Sequence, residues 1–147
     1  MTKTKIATLN ARGMQSEGQY TAFLKAAKRW MQQKGVAALM VQEHNLSWNV
    51  REDVQRRAIA DSKSLHIAIG YAKEEKNGVY WGGTMIIGDK TKIEKWTTTE
   101  ETGPVTRAEV KIAGDTRRVA SVYVPARPIQ PCARLYVRGG RGANSLG

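Results

Sequence analysis

The sequence predicts an α/β protein: a layered mixed β-sheet with flanking helices. Three observations predict it. Helical periodicity is confined to the first half of the chain. A continuous apolar run, Val36 to Val41, lies between two helical segments, as a strand covered on both faces does. Beyond about residue 79 helical spacing stops and strand-like segments follow one another. The order is βαβαβ and then a meander of four strands, which fits neither a helix bundle nor an all-β barrel.

Residues 5–9, Lys5-Ile6-Ala7-Thr8-Leu9, form the first short strand, ended by Asn10-Ala11-Arg12-Gly13. Ser16 with Gln19 three positions on reads as a helix cap. Beyond it Tyr20, Phe23, Leu24, Ala27 and Met31 share one helical face. Gly35 stands where a C-cap glycine belongs, so a helix is predicted over 17–34. The buried strand Val36–Val41 ends in Gln42-Glu43-His44. Asn49, with Glu52 three later, reads as a second cap, and Val50, Val54 and Ala58 predict a weaker helix to about Ser64. Leu65, Ile67, Ile69 and Tyr71 alternate with His66, Ala68 and Gly70, a third strand. Lys73 to Gly78 is a polar turn in which Asn77-Gly78 favours positive φ. Strands are predicted at about 79–88, 91–99, 106–113 and 117–124, the last two joined at Gly114-Asp115.

Composition bounds the function. The 147 residues suffice for one domain. Hydrophobic content of 41% suits a folded chain. One Cys, Cys132, excludes an internal disulfide framework, and Cys and His are too few for a zinc finger. No apolar run approaches the roughly 18–20 residues of a membrane helix, and the N-terminus lacks the apolar stretch of a secretory signal. The expected location is intracellular, nuclear or cytoplasmic, with no membrane contact. The 24 Lys+Arg against 13 Asp+Glu leave +11, which favours polyanion partners such as DNA, RNA or phosphorylated substrates; the partner expected is DNA, with RNA the second candidate. From residue 127 onward come Arg127, Arg134, Arg138 and Arg141 and no acid. Two regions are therefore expected: 1–126 as the folded domain and 127–147 as a basic, Arg/Gly-containing disordered tail.

Candidate chemistry gathers at strand ends. Asn10 and Glu43 each follow a strand expected to lie inside the sheet, and polar groups at carboxyl ends of such strands converge on the ligand crevice of α/β proteins. Glu43 is a hard oxygen donor of the kind Mg²⁺ takes. The bland alternative makes Asn10 a turn residue and Glu43 a solvated loop start. His44 invites a general-base role, although a loop histidine is more often polar surface. His66 reads as a sheet-face residue and Tyr123 as the end of the last strand; Trp30, Trp48, Trp81 and Trp96 could stack on bases, although Trp30, beside the helix stripe, reads as packing. Gly82-Gly83 inside a strand indicates a bulge or a close backbone approach. No Ser/His/Asp arrangement and no Walker motif occurs.

Taken in order, Ile6-Ala7-Thr8-Leu9-Asn10-Ala11-Arg12-Gly13, Ala38-Leu39-Met40-Val41-Gln42-Glu43, Gly82-Gly83-Thr84-Met85-Ile86-Ile87, Arg107-Ala108-Glu109-Val110 and Val119-Ala120-Ser121-Val122-Tyr123-Val124-Pro125 resemble the endonuclease/exonuclease/phosphatase superfamily. The branch most resembled is the apurinic-like endonuclease of non-LTR retrotransposons. The resemblance covers about residues 3–126. It implies the first half of a four-layer α/β/β/α sandwich and Mg²⁺-dependent hydrolysis of phosphodiester or phosphate-ester bonds. It further implies that Glu43 is the metal-ligating carboxylate, that Asn10 is a hydrogen-bonding partner at the metal and phosphate, and that Tyr123 lies near the scissile phosphate.

Three departures limit the resemblance. Ala126 stands where the family has Asn after Tyr-x-Pro. The Gly-Asp-x-Asn motif and the Ser-Asp-His that supplies the catalytic histidine are absent, and neither His44 nor His66 inherits that role. The expectation is a truncated or frameshifted retroelement endonuclease, inactive as an isolated chain, with an apolar face left exposed. The alternatives are a non-catalytic basic nucleic-acid-binding module and a remnant with neither activity nor useful binding. Oligomeric state is not legible.

Overall fold

In the computed structural model the described residues are 3–14, 16–61, 63–74 and 80–124. The first strand, β1 (Lys5–Asn10), leads into α1 (Glu17–Lys34). The helix starts where the sequence places it: Ser16 Oγ accepts from the Gln19 amide at 3.1 Å, satisfying one of the orphan donors of the first turn. It stops at Gly35, which takes φ 69° and returns its N–H to the Met31 carbonyl. Tyr20, Leu24, Ala27 and Met31 are buried along one stripe.

A strand β2 (Val36–Gln42) follows, then a short 3-10 turn (Trp48–Val50), α2 (Arg51–Asp61) and β3 (Leu65–Gly70). The second helix is shorter than its periodicity indicates, and Asn49 lies inside the 3-10 turn rather than capping the helix. A two-stranded ladder joins β4 (Lys73–Glu74) to β5 (Tyr80–Trp81); the expected Asn77-Gly78 turn lies outside the described residues. The remaining strands are β6 (Thr84–Asp89), β7 (Ile93–Glu101), β8 (Val105–Ile112) and β9 (Asp115–Val122). The β8–β9 turn sits at Ala113-Gly114, both at positive φ, one residue before the expected position; Asp115 already pairs with Ile112.

The strands form two larger sheets. One is mixed, in the order β1-β2-β6-β3, and the other is an antiparallel meander, β7-β8-β9. The β1–β2 pair is parallel, and β6 runs antiparallel to both β2 and β3. Thus β1, β2 and β3 all point their carboxyl ends to the same rim. Leu39, Val41, Met85 and Ile87 belong to the core shared with the helices. Ile86 instead joins Val110, Ile112 and Val119 between the two sheets, with Met40 packed against them. The layers are therefore helices, mixed sheet and antiparallel sheet. This is the predicted α/β class, consistent with part of a four-layer sandwich.

Three expectations need correction. The final four strands are not one meander: the strand expected at 79–88 breaks at Gly82-Gly83, and its second part, β6, enters the first sheet between β2 and β3. The physical reason is its burial on both faces over Thr84–Asp89, which suits an interior strand, whereas β7 to β9 alternate. Second, β1 lies at the sheet edge in the described residues, pairing with β2 alone. Third, the mixed sheet is covered on its second face by the other sheet. Of the exposed apolar side chains, Ile6 and Leu9 lie on β1, Val122 and Val124 on and beyond β9, and Trp30 and Trp48 on α1 and the 3-10 turn. No helix among the described residues is long and apolar enough to cross a membrane. The expected tail, 127–147, lies outside the described residues.

Candidate functional site

The carboxyl ends of β1 and β2 meet at one rim because the strands are parallel and in register, with Asn10 opposite Gln42. Glu43, one residue beyond β2, turns back at φ 56°. Left-handed backbone at a non-glycine residue costs on the order of 1 kcal/mol, and the surrounding backbone holds it there. The Glu43 N–H donates to the Gly83 carbonyl at 2.9 Å, and the Glu43 carbonyl accepts from Gly13 N–H at 2.7 Å. The result is a direct side-chain contact: Asn10 Nδ2 donates to Glu43 Oε1 at 2.6 Å. Asn10 Oδ1 is taken by the Arg12 amide at 2.9 Å, a side-chain turn that fixes the amide orientation. Asn10 is thus a turn residue, as the bland alternative has it, and the same side chain also contacts Glu43.

Gln42 ties three strands together beneath this pair. Its Oε1 accepts from Thr8 Oγ1 at 3.0 Å and its Nε2 donates to Ser121 Oγ at 2.9 Å. The Ser121 hydroxyl donates in turn to the Val41 carbonyl at 2.7 Å. This chain pins the end of β9 to the ends of β1 and β2. Tyr123, one residue past β9, has its N–H on the Pro104 carbonyl at 2.9 Å. Its ring lies against Gly82, where an added Cβ would come within 3.1 Å of it. Gly82 is bonded to Asn45, carbonyl to amide N–H at 2.8 Å and amide to Oδ1 at 3.0 Å. Tyr123 is therefore held beside the glycine pair on which the Glu43 loop hangs. Gln42, Asn45 and Ser121 escaped the sequence reading. The one available signal was Asn45, since asparagine tolerates the positive φ of 57° it adopts.

His44 is not polar surface. It is fully buried, with Nδ1 accepting from the Leu46 amide at 2.9 Å and Nε2 facing the Gly70 carbonyl at 2.9 Å and the Thr84 carbonyl at 3.2 Å. An acceptor at Nδ1 and a donor at Nε2 describe the neutral ring. Burial lowers its pKa from 6.5 to about 4, against the raising effect of the carbonyls at Gly70 and Thr84. Its ring fills the space over Gly83, where a Cβ would stand 2.3 Å from Cε1, so the close backbone approach expected of Gly82-Gly83 is an approach to His44 and Tyr123. His66 lies at the opposite end of β3 and stacks on Trp96, with ring centroids 5.0 Å apart, as a sheet-face residue does. Trp30 is partly exposed and lines an apolar groove with Leu9 and Phe23.

Among the described residues no group of three His, Cys, Asp or Glu side chains could cage a metal. The rim offers one carboxylate, Glu43, whose Oε1 is oriented by an amide. A single carboxylate fits Mg²⁺, which keeps several waters and commonly binds through one or two carboxylates together with substrate phosphate.

No family model matches the sequence, and no curated protein matches it. Among solved structures the chain is similar to NExo, a 3′ phosphatase from Neisseria bound to a product DNA hairpin, with 16% identity and a TM-score of 0.49. The match covers 82% of this chain and 41% of that one, so this chain spans less than half of that structure's length.

Proposed function

We propose that this chain carries the metal-holding part of a Mg²⁺-dependent endonuclease-type phosphodiesterase domain of retroelement origin, acting on DNA. The observation that supports it is the 2.6 Å contact of Asn10 with Glu43, at the rim where parallel strand ends converge. Glu43 would hold the Mg²⁺, which when bound supplies positive charge to the phosphate and leaving oxygen. Asn10 holds one carboxylate oxygen in place and leaves the other free of it for a hard cation. Tyr123, positioned by Pro104 and Gly82, is the candidate phosphate-side hydroxyl. The retroelement origin and the choice of DNA are supported by the motif series from Asn10 to Tyr123, and the +11 charge suits a polyanion of either kind.

We further propose that the isolated chain does not turn over. Phosphodiester hydrolysis needs a group that prepares water. Of the chain's two histidines, His44 has both ring nitrogens engaged in the core, and His66 stacks on Trp96, about 13 Å along β3 from the rim. Supercoiled plasmid incubated with Mg²⁺ is therefore expected to remain uncut by the wild type, while a filter assay in the same buffer retains the DNA. Nicking by the wild type that Glu43→Gln abolishes would contradict the inactivity and keep the site. Retention that falls steeply with salt, but ignores both Mg²⁺ and Glu43→Gln, would favour the non-catalytic binding module.

A further inference from the structure

A second feature occupies the same rim, two strands from Glu43. The loop after β2 is fastened to the end of β3: Ala72 N–H donates to the Leu46 carbonyl at 2.7 Å, and Ser47 bridges Ala72 in parallel. This fixes Trp48 beside Tyr71. The two rings meet edge to face, with centroids 5.5 Å apart, and the Arg51 guanidinium lies 4.2 Å from the Trp48 ring centroid. Trp48 nevertheless stays 57% exposed. Trp48 and Tyr71 line a cleft of about 790 Å³ together with Ile67, Ile69, Gln55 and Glu101. That volume is in the range of small-molecule sites.

The chemistry of the walls selects the ligand. Flat aromatic and aliphatic surfaces favour a planar π-system. The Gln55 amide and the Glu101 carboxylate offer hydrogen bonds to its edge. Glu101 Oε2 already accepts from the Ile69 amide at 2.9 Å, which anchors the carboxylate at the cleft. A carboxylate repels phosphate and accepts from an exocyclic amine. The cations, Arg51 and Lys73, belong to the same rim. Burial and the Glu101 charge keep the Tyr71 hydroxyl protonated, its pKa raised to about 12 although Arg51 opposes this. It is therefore a neutral hydrogen-bonding group at any ordinary pH.

We infer that this cleft binds an unpaired nucleobase, stacked on the exposed Trp48 ring, which Tyr71 meets edge to face, with its edge toward Gln55 and Glu101 and its phosphate toward Lys73. Stacked duplex bases cannot enter such a pocket without being extruded. The inference deepens the proposed function, because β2 and β3 are two strand spacings, about 10 Å, apart along one rim. A strand whose phosphate sits at Glu43 reaches the cleft with a neighbouring nucleotide.

The test is fluorescence anisotropy with a short fluorescein-labelled single-stranded oligodeoxynucleotide, and with the same oligonucleotide carrying abasic positions. Both are titrated in EDTA so that no metal site contributes. The full chain is expected to bind the base-containing strand about tenfold more tightly than the abasic one. Trp48→Ala is expected to erase that difference while remaining folded, with a urea midpoint only modestly lowered by the lost Tyr71 and Arg51 contacts, and Trp48→Phe to keep most of it. Equal affinity for the two strands, absence of binding, or a difference that survives Trp48→Ala would overturn the inference. Failure of the Glu43 reading is separate: it would appear as Mn²⁺ binding indifferent to Glu43→Gln, and would leave the anisotropy difference intact.

Discussion

Unfolding in urea is expected to require about 2 kcal/mol less at about pH 5 than at about pH 7.5, and His44 is the cause. Its neutral ring is built into the core by the Leu46 amide and the Gly70 carbonyl, and burial depresses its pKa to about 4. In the unfolded chain it titrates at about 6.5. Between those values the unfolded state binds the proton and the folded state does not. The stabilisation is thus fully present above about pH 6.5 and is lost as pH falls toward 4. At about 1.4 kcal/mol per pK unit the whole loss is about 3 kcal/mol, of which about 2 appears by pH 5. The His66 pKa is lowered too, by partial burial and then by Lys90, so His66→Gln serves as the control and should retain most of the slope. His44→Gln should be less stable at the higher pH and nearly flat across the window. A wild-type protein equally stable at both pH values would refute the neutral buried ring.

Gly70→Ala is expected to destabilise the fold by about 3 kcal/mol or more, through overpacking against backbone. An added Cβ would lie 1.7 Å from the Thr102 carbonyl oxygen and 2.9 Å from Thr106 Oγ1. Neither neighbour is free to move. Thr106 shares a 2.8 Å hydrogen bond with Thr84, and the Thr102 N–H is bonded to the Val105 carbonyl at 2.8 Å. The same residue supplies the carbonyl that His44 binds, so the damage reaches the loop that carries Glu43. Gly35→Ala is the contrast: nothing lies within 4 Å of its Cβ, and only the φ of 69° is strained, which costs about 1 kcal/mol. Urea midpoints of the two variants check the ranking, and a Gly70→Ala protein as stable as Gly35→Ala would contradict the packing described.

The local signals of α1 were strong because they agreed. Ser16, the stripe from Tyr20 to Met31, and Gly35 all specify one helix, and it forms over Glu17–Lys34. The fate of β6 was harder to read, because sheet membership is decided by contacts distant in sequence. Its uninterrupted Met85-Ile86-Ile87 run carried the clue, since a strand buried on both faces has no polar alternation. The neighbourhood of Asn10 and Glu43 followed from parallel strand order alone, as each closes a strand pointing to the same rim. His44 could not be placed in that way. Its burial depends on space left by Gly83 and on two carbonyls from β3 and β6, and no spacing in the sequence encodes those contacts. Gln42 and Ser121 were missed for the same reason, being 79 residues apart along the chain.

The proposed divalent-cation site at the β1–β2 rim, Glu43 steadied by Asn10, is tested most directly by paramagnetic broadening. Mn²⁺, used as a paramagnetic stand-in for Mg²⁺, should broaden the backbone amide resonances of residues 10–13, 43–45 and 82–83 before any others, and excess Mg²⁺ should reverse the effect. Glu43→Gln should remove the selective broadening while leaving the spectrum folded. Broadening centred elsewhere in the molecule, or a pattern that Glu43→Gln leaves unchanged, would contradict the account.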